Sequence, residues 1–346
     1  MPSETKTPAR PPMAIVLLCI SFVILIWAGL LYDSKRSEDI ALQQGRKDVS
    51  NLAVAFRENI TGIVSAIDQL TIGIAADHAR HPDDYSIPEW VKTSPLLQGL
   101  ALQVGLMGPD GIVRASNLPF HGRVDISGRP HFRYHLDPSA SQPYISVPVV
   151  GRVSGKWSVQ VTRRLTRDNG RFDGVVVVSI DPFYLSKFFD NVNLGEGGNA
   201  LLVGRDGIVR ARRALDNQGL GQDLTNSELL QKVQTASEGT FIRVGKLNGV
   251  QSVFGYASLR AYPLVVDVAM PIDEILAPVR RQNITRFIVG GTATIAIIAL
   301  AWLLVRPDNR DAGQPCSAVG ISAVHKPQFM STRPSVMGPL MSSVPE

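Results

Sequence analysis

Residues 125–181 read DISGRPHFRYHLDPSASQPYISVPVVGRVSGKWSVQVTRRLTRDNGRFDGVVVVSID. The stretch opens with a polar run that carries Arg129, His131, Phe132 and His135. Three strand-like runs follow. Tyr144 to Val150 is β-branched and aromatic, and Trp157 to Leu165 alternates apolar and polar. Gly174 to Ile180 is a continuous valine run, the pattern of a strand buried on both faces. Asp168-Asn169-Gly170 lies between the second and third runs, and Asn-Gly supplies the positive φ of a tight hairpin. The stretch therefore reads as a loop feeding a three-stranded antiparallel meander. An arginine and several aromatics sit at its mouth, as the wall and lid of a small-molecule pocket would require.

Outward from this meander the chain repeats itself. Gly108 to Ala115, GPDGIVRA, returns as Gly204 to Ala211, GRDGIVRA, 96 residues on, with seven of eight positions identical. Each copy follows an apolar run and contains an Asp-Gly turn between two strands. An acid follows each at nearly the same offset, Asp125 and Asp223. Two similar small modules in tandem are expected, since a solenoid needs more copies. D-G-I-V-R offers too few oxygen donors for calcium, so the Asp-Gly pairs read as turns. Gly195-Glu196-Gly197-Gly198 has no Lys-Ser/Thr after it and reads as a hinge into the second module rather than a phosphate loop.

Ser34 to about Arg80 precedes the modules and reads as one long helix. Val49, Leu52 and Phe56 are spaced 3 and 4; Ile60, Ile63, Ile67, Leu70 and Ile74 continue in steps of 3, 4, 3 and 4. This seam either covers its own modules or pairs with a second subunit, and the two can hold along different parts. Pro82 ends the helix. His78 and His81 lie three apart with no third ligand in view, the pattern of surface histidines rather than of a metal site.

Uncharged runs flank the body at residues 13–32 and 287–305. Each is long enough to cross about 30 Å of hydrocarbon. The first exceeds the usual apolar core of a signal peptide and lacks an A-x-A site, which favours a retained anchor. Charges near the two runs do not settle orientation. Long loops translocate largely regardless of charge, so residues 33–286 are placed outside the membrane and both termini in the cytoplasm. The chain has 346 residues, a net charge of +5 and scattered Lys and Arg, which gives no nucleic-acid footprint. Its two cysteines, Cys19 and Cys316, lie outside the body, so no disulfide staples it. No nucleophile elbow, zinc signature or Walker loop is present, so an enzyme, a metal site and a cofactor are not expected.

In order, Asp125, Arg129, Phe132, His135, Tyr144, Trp157, Arg163-Arg164, Gly170-x-Phe172-x-Gly174-Val175, Asp181-Pro182, Tyr184-Leu185, Leu194-Gly195 and Asp206-Gly207 resemble a double Cache sensor domain. This is the extracytoplasmic PAS-like type found ahead of bacterial diguanylate cyclases and sensor histidine kinases. The resemblance covers about Asp33 to Arg286. It implies an α+β fold: a long helix (33–80), a membrane-distal module (81–190), a membrane-proximal module (191–272) and a connecting helix (273–286). It also implies a ligand in the distal module and a bacterial inner-membrane location. In the amino-acid-binding class an arginine, an aromatic pair, a later tyrosine and a strand-ending aspartate hold the ligand. Arg129 and Tyr144 match that pattern. His131 stands where that class has tryptophan, and Ser179 where it has aspartate. A ligand ammonium would lose a charged hydrogen bond of about 1.5–3 kcal/mol there. A carboxylate or other small anion is therefore expected, because a guanidinium matches two oxygens.

The candidate ligand residues are thus Arg129, His131, Phe132, Tyr144, Trp157 and Ser179. Four of them have a structural alternative. Arg129 can pair with Asp125 or Asp137 instead, and Tyr144 can be a core aromatic. Trp157, a large aromatic on an alternating strand, is expected to pack inward. His131 and His135 read as loop histidines, either of which would make the site pH-sensitive. Arg163 and Arg164 point to opposite faces of their strand, so at most one faces the pocket. Residues 306–346 read as a disordered cytoplasmic tail without cyclase, kinase or methyl-accepting motifs. The expectation is a two-span sensor without its own output domain, possessing a small-molecule ligand, self-association through the long helix, and a separate signalling partner. The alternative is a scaffolding membrane protein, or a truncated receptor with a non-functional pocket.

Overall fold

The computed structural model describes residues 13–94, 100–189, 192–213, 219–245 and 249–305. The N-terminal segment and the tail expected to be disordered lie outside the described residues.

Helix α1 (Met13–Arg80) is one unbroken helix that takes in the first apolar run and the long amphipathic segment. Val49, Phe56, Ile60, Ile67, Leu70 and Ile74 are buried, and Leu52 and Ile63 pack partly buried against the same core. The seam thus covers the body. A short helix α2 (Glu89–Lys92) follows.

The first sheet comprises β1 (Ala101–Met107), β2 (Val113–Ser116), β3 (Tyr144–Ile145), β4 (Val149–Val150), β5 (Trp157–Thr166) and β6 (Phe172–Ile180). Its order is β2-β1-β6-β5-β3, with β4 also on β5, and all pairs are antiparallel. The second sheet has β7 (Asn199–Gly204), β8 (Val209–Arg212), β9 (Glu238–Val244), β10 (Gln251–Ser258) and β11 (Leu264–Pro271). Its order, β8-β7-β11-β10-β9, repeats that of the first. The GPDGIVRA and GRDGIVRA copies form matching turns. Asp110 pairs with Arg114 at 2.7 Å and Asp206 with Arg210 at 2.6 Å, and Ile112 and Ile208 bridge to Asp125 and Asp223.

The meander forms with its Asn-Gly turn, where Gly170 has φ 76° and donates its N–H to the Arg167 carbonyl at 2.8 Å. Central strand β6 is covered on both faces. Val176, Val178 and Ile180 join the core under α1, while Val175 and Val177 pack with Ile126 and Phe132 on the other side. Burying each such side chain contributes about 1.5–3 kcal/mol.

Three expectations need correction. Tyr144 to Val150 is not one strand: Pro148, with no N–H to give, separates β3 from β4. Trp157 does not pack inward, because it opens β5 beside Val150 at the sheet margin and stays 38% exposed. His78 is not on the surface. It is buried, with its Nε2 2.9 Å from Asp173 Oδ2.

Two short helices cover the outer faces, α3 (Pro130–Arg133) on the first sheet and α5 (Glu228–Thr235) on the second; α4 (Pro182–Ser186) lies between the sheets in sequence. Strand β11 passes without a loop into α6 (Ile272–Val305), which holds the second apolar run. Within α1 and α6, Trp27 stacks on Phe287, its indole N–H donates to Thr294 Oγ1 at 3.1 Å, and Asn283 donates to Ser34 Oγ at 2.7 Å. Both helices are long and apolar enough to cross a membrane, and they flank the body as anchors.

Candidate functional site

β6 alternates its side chains between two faces, and the face turned away from α1 carries Val175, Val177 and Ser179. Neighbouring strands add Gln103 and Gln160 to the same face, since Gln103 and Gln160 are both register partners of Ser179. The loop before α3 and the turn after β4 close over them. Together they enclose a narrow cavity of about 30 Å³, with Ser179, Gln103 and Gln160 at its floor and Arg129, His131 and Arg152 among its other walls.

The floor is a relay of neutral groups. Ser179 Oγ donates to Gln160 Oε1 at 2.6 Å, Gln160 Nε2 donates to Ser158 Oγ at 2.7 Å, and Gln103 Nε2 donates to Ser116 Oγ at 3.1 Å. His131 is buried with its Nδ1 unpartnered among the described residues. Burial, then the charges of Arg129 and Arg152, push its imidazole down to about 4, so it is neutral in this setting. Arg129 gives one long hydrogen bond, 3.4 Å to the Val150 carbonyl, and Arg152 donates to the Asp125 carbonyl. Neither forms an ion pair among the described residues. The carboxyl of Asp125, the expected alternative partner, instead accepts from Ser127 N at 2.8 Å. Among the described residues no carboxylate lines the cavity. Two guanidiniums, amides, a hydroxyl and a neutral imidazole can together donate hydrogen bonds to a group that carries negative charge.

The six sequence candidates fall into two groups. Arg129, His131 and Ser179 meet in the cavity. Phe132 is buried behind it, edge-on to Phe172 at 6.0 Å. Tyr144 faces a separate cleft between the two sheets, tilted against Tyr134 at 5.0 Å and near Arg205, Asp206 and Arg210. Trp157 lies at the sheet margin. Arg163 points to α1, where it pairs with Asp68 and donates to Thr71 Oγ1 at 3.2 Å. Arg164 lies over the Phe172 ring at 4.7 Å. His135 is fully buried, 2.8 Å from Thr162 Oγ1, and burial pushes it down to about 4.

Gln103, Gln160 and Arg152 were missed. The two glutamines had a signal: each is a lone amide in an apolar strand, ALQVGLM and WSVQV. Arg152 had none, being one of several loop arginines. Among the described residues no group of three or more His, Cys, Asp or Glu is placed to hold a metal.

Residues 37–279 match the Cache domain family model. Among solved structures, the chain is similar to the extracellular domain of the histidine kinase candidate rpHK1S-Z16. That match has 29% identity and a TM-score of 0.62, and covers 68% of this chain and 98% of that one. It shares the fold of the ligand-binding domain of Mlp24 with asparagine (17%, TM-score 0.52, 71% and 99% covered). It also shares that of the Pseudomonas fluorescens chemoreceptor CtaA with L-leucine (16%, TM-score 0.51, 68% and 99%). No similar sequence was found among curated proteins. With most of its length matched and the two-sheet, long-helix architecture in place, the chain belongs to the Cache-domain family of ligand-binding sensors.

Proposed function

We propose that this protein is a membrane-anchored extracytoplasmic sensor whose first-sheet cavity takes a carboxylate or other small anion. The observation that carries this reading is the pair Arg129 and Arg152 over a cavity lined by no carboxylate. Amino acids are bound by CtaA and Mlp24 as described above. Here the cavity offers an ammonium no charged partner, and Ser179 gives only a hydroxyl. At about 30 Å³ the cavity has room for about two waters. Ligand entry therefore parts the Arg129 and Arg152 loops, and the open state must bind the ligand more tightly than the closed one.

The first sheet and the second are the membrane-distal and membrane-proximal modules, with both termini in the cytoplasm and α6 as the outgoing element. The full-length protein in detergent is titrated with propionate, succinate and phosphate by calorimetry. At least one binds, and Arg129→Ala weakens it by about tenfold or more, the worth of one charged hydrogen bond. Binding unchanged in Arg129→Ala and in Arg152→Ala refutes the site; tighter binding of cationic than anionic ligands refutes the class.

A further inference from the structure

The internal repeat gives the second sheet its own counterpart of the first cavity. Asn199 lies 96 residues after Gln103, and both line a cavity on the face of their sheet turned away from α1. The second cavity, about 20 Å³, lies beside α5 and has a different chemistry. Where β6 presents Val177 opposite Gly105, β11 presents Asp267 opposite Leu201. Valine at the matched position shows that this fold does not need a carboxylate there.

Asp267 is 4% exposed, and its Oδ1 has no hydrogen-bond partner among the described residues. Arg243 lines the same cavity, with a buried Nε that is likewise unpartnered among them. The guanidinium is held over the stacked rings of Phe241 and Phe254, at 5.9 and 5.4 Å from their centroids. No ion pair joins Arg243 to Asp267 among the described residues. Both line one cavity, whose apolar wall includes Leu201, Phe241 and Phe254. Burying a carboxyl without a partner is costly, so the arrangement asks for a group that fills the gap.

We propose that the second sheet carries a ligand site of its own, in which Asp267 receives the ammonium and Arg243 the anionic end of a small zwitterion. With Asp267 ionised the two side chains carry no net charge, and a zwitterion can satisfy both orphan atoms at once, the cavity of about 20 Å³ widening to admit it. An amine alone would meet the Arg243 charge, and an acid alone would meet Asp267. Burial pushes the Asp267 carboxyl upward while Arg243 pulls it back, and a bound ammonium would add to the pull that favours the carboxylate. The two cavities would then read different chemistry, an anion in the first and a zwitterion in the second.

The test uses the full-length protein in detergent carrying Arg129→Ala, which silences the first cavity. L-Alanine, ethylamine and propionate are the first probes, followed by the other standard amino acids, each read by thermal shift and calorimetry. At least one amino acid raises the melting temperature in this background, and ethylamine and propionate do not. Adding Asp267→Asn, or separately Arg243→Gln, weakens that binding by about tenfold or more. Circular dichroism checks each variant's fold, and Arg243→Gln carries the test if Asp267→Asn does not fold. Three results overturn the proposal: no amino acid binds, leaving a water between the two side chains; binding survives both second-sheet changes; or ethylamine binds as well as the amino acid. Binding seen only with Arg129 intact places the zwitterion in the first cavity, which overturns this proposal and the anion reading together. Failure of propionate to bind the wild type bears on the first cavity alone.

Discussion

Replacing Asp267 by asparagine changes how stability depends on pH. Burial pushes this carboxyl from 3.8 up to about 7. Between those values the unfolded chain has released the proton while the fold still holds it, so raising the pH favours unfolding. The stabilisation is fully present below about 3.8 and is lost as pH rises through about 7. The full loss is about 4 kcal/mol, of which more than half falls between pH 5 and pH 8. Asparagine keeps the shape and does not titrate. The stability of Asp267→Asn relative to wild type therefore grows by about 2–3 kcal/mol from pH 5 to pH 8. Urea unfolding of the full chain in detergent, followed by tryptophan fluorescence without amino acids present, reads this difference. Comparing two pH values cancels any constant cost of leaving Arg243 without its counter-charge. A difference that is flat or shrinks with pH would refute the reasoning.

Further outcomes follow from other buried contacts. His131 and His135, each pushed down to about 4, are stabilising in their neutral form above about 6.5 and lose that contribution as pH falls through about 4. The loss is about 3 kcal/mol per imidazole, so His135→Gln in the Asp267→Asn background flattens the pH 4–6.5 stability slope. Gly255→Ala puts a methyl 2.6 Å from the Val49 backbone in α1, where no side chain can yield; a loss of about 1–3 kcal/mol is expected in urea unfolding. Arg163→Ala leaves the half-buried Asp68 without its partner and lowers stability by about 2 kcal/mol, whereas Arg171→Ala, on the exposed hairpin, changes it little.

Features with a short-range cause were legible in the sequence. The seam from Val49 to Ile74 and the Asn169-Gly170 turn follow from helical spacing and backbone preference. The two Asp-Gly copies announced two similar modules, which the structure shows as two sheets of one strand order. What failed depended on distant neighbours. Trp157 alternates correctly along β5, yet its position at the sheet margin depends on how far β4 extends beside it. Tyr144 and Arg129 are close in sequence, but Tyr144 sits on β3 at the far edge and faces the other sheet, while the loop before α3 carries Arg129 over Ser179. Gln103 reaches the site only because β1 pairs with β6, a pairing across 76 residues with no local signature. Asp267 was equally silent, since a single acid in LVVDVAMP reads as an ordinary solvent-facing position until α5 is seen to lie over it.

At Gly255 the missing side chain lets the backbone of α1 rest directly on the second sheet, at Val49. Such a contact can serve as a fulcrum. From Val49 the helix runs 29 residues to His78 beside the first sheet and 16 residues to Asp33 at the edge of the first apolar run, arms of about 44 and 24 Å at 1.5 Å per residue. A tilt about this point that moves the far end by about 1 Å moves the membrane end by about 0.5 Å in the opposite direction, on that same rigid geometry. On that geometry the long helix works as a reducing lever: it trades amplitude at the first-sheet end for force at the end that carries the apolar run.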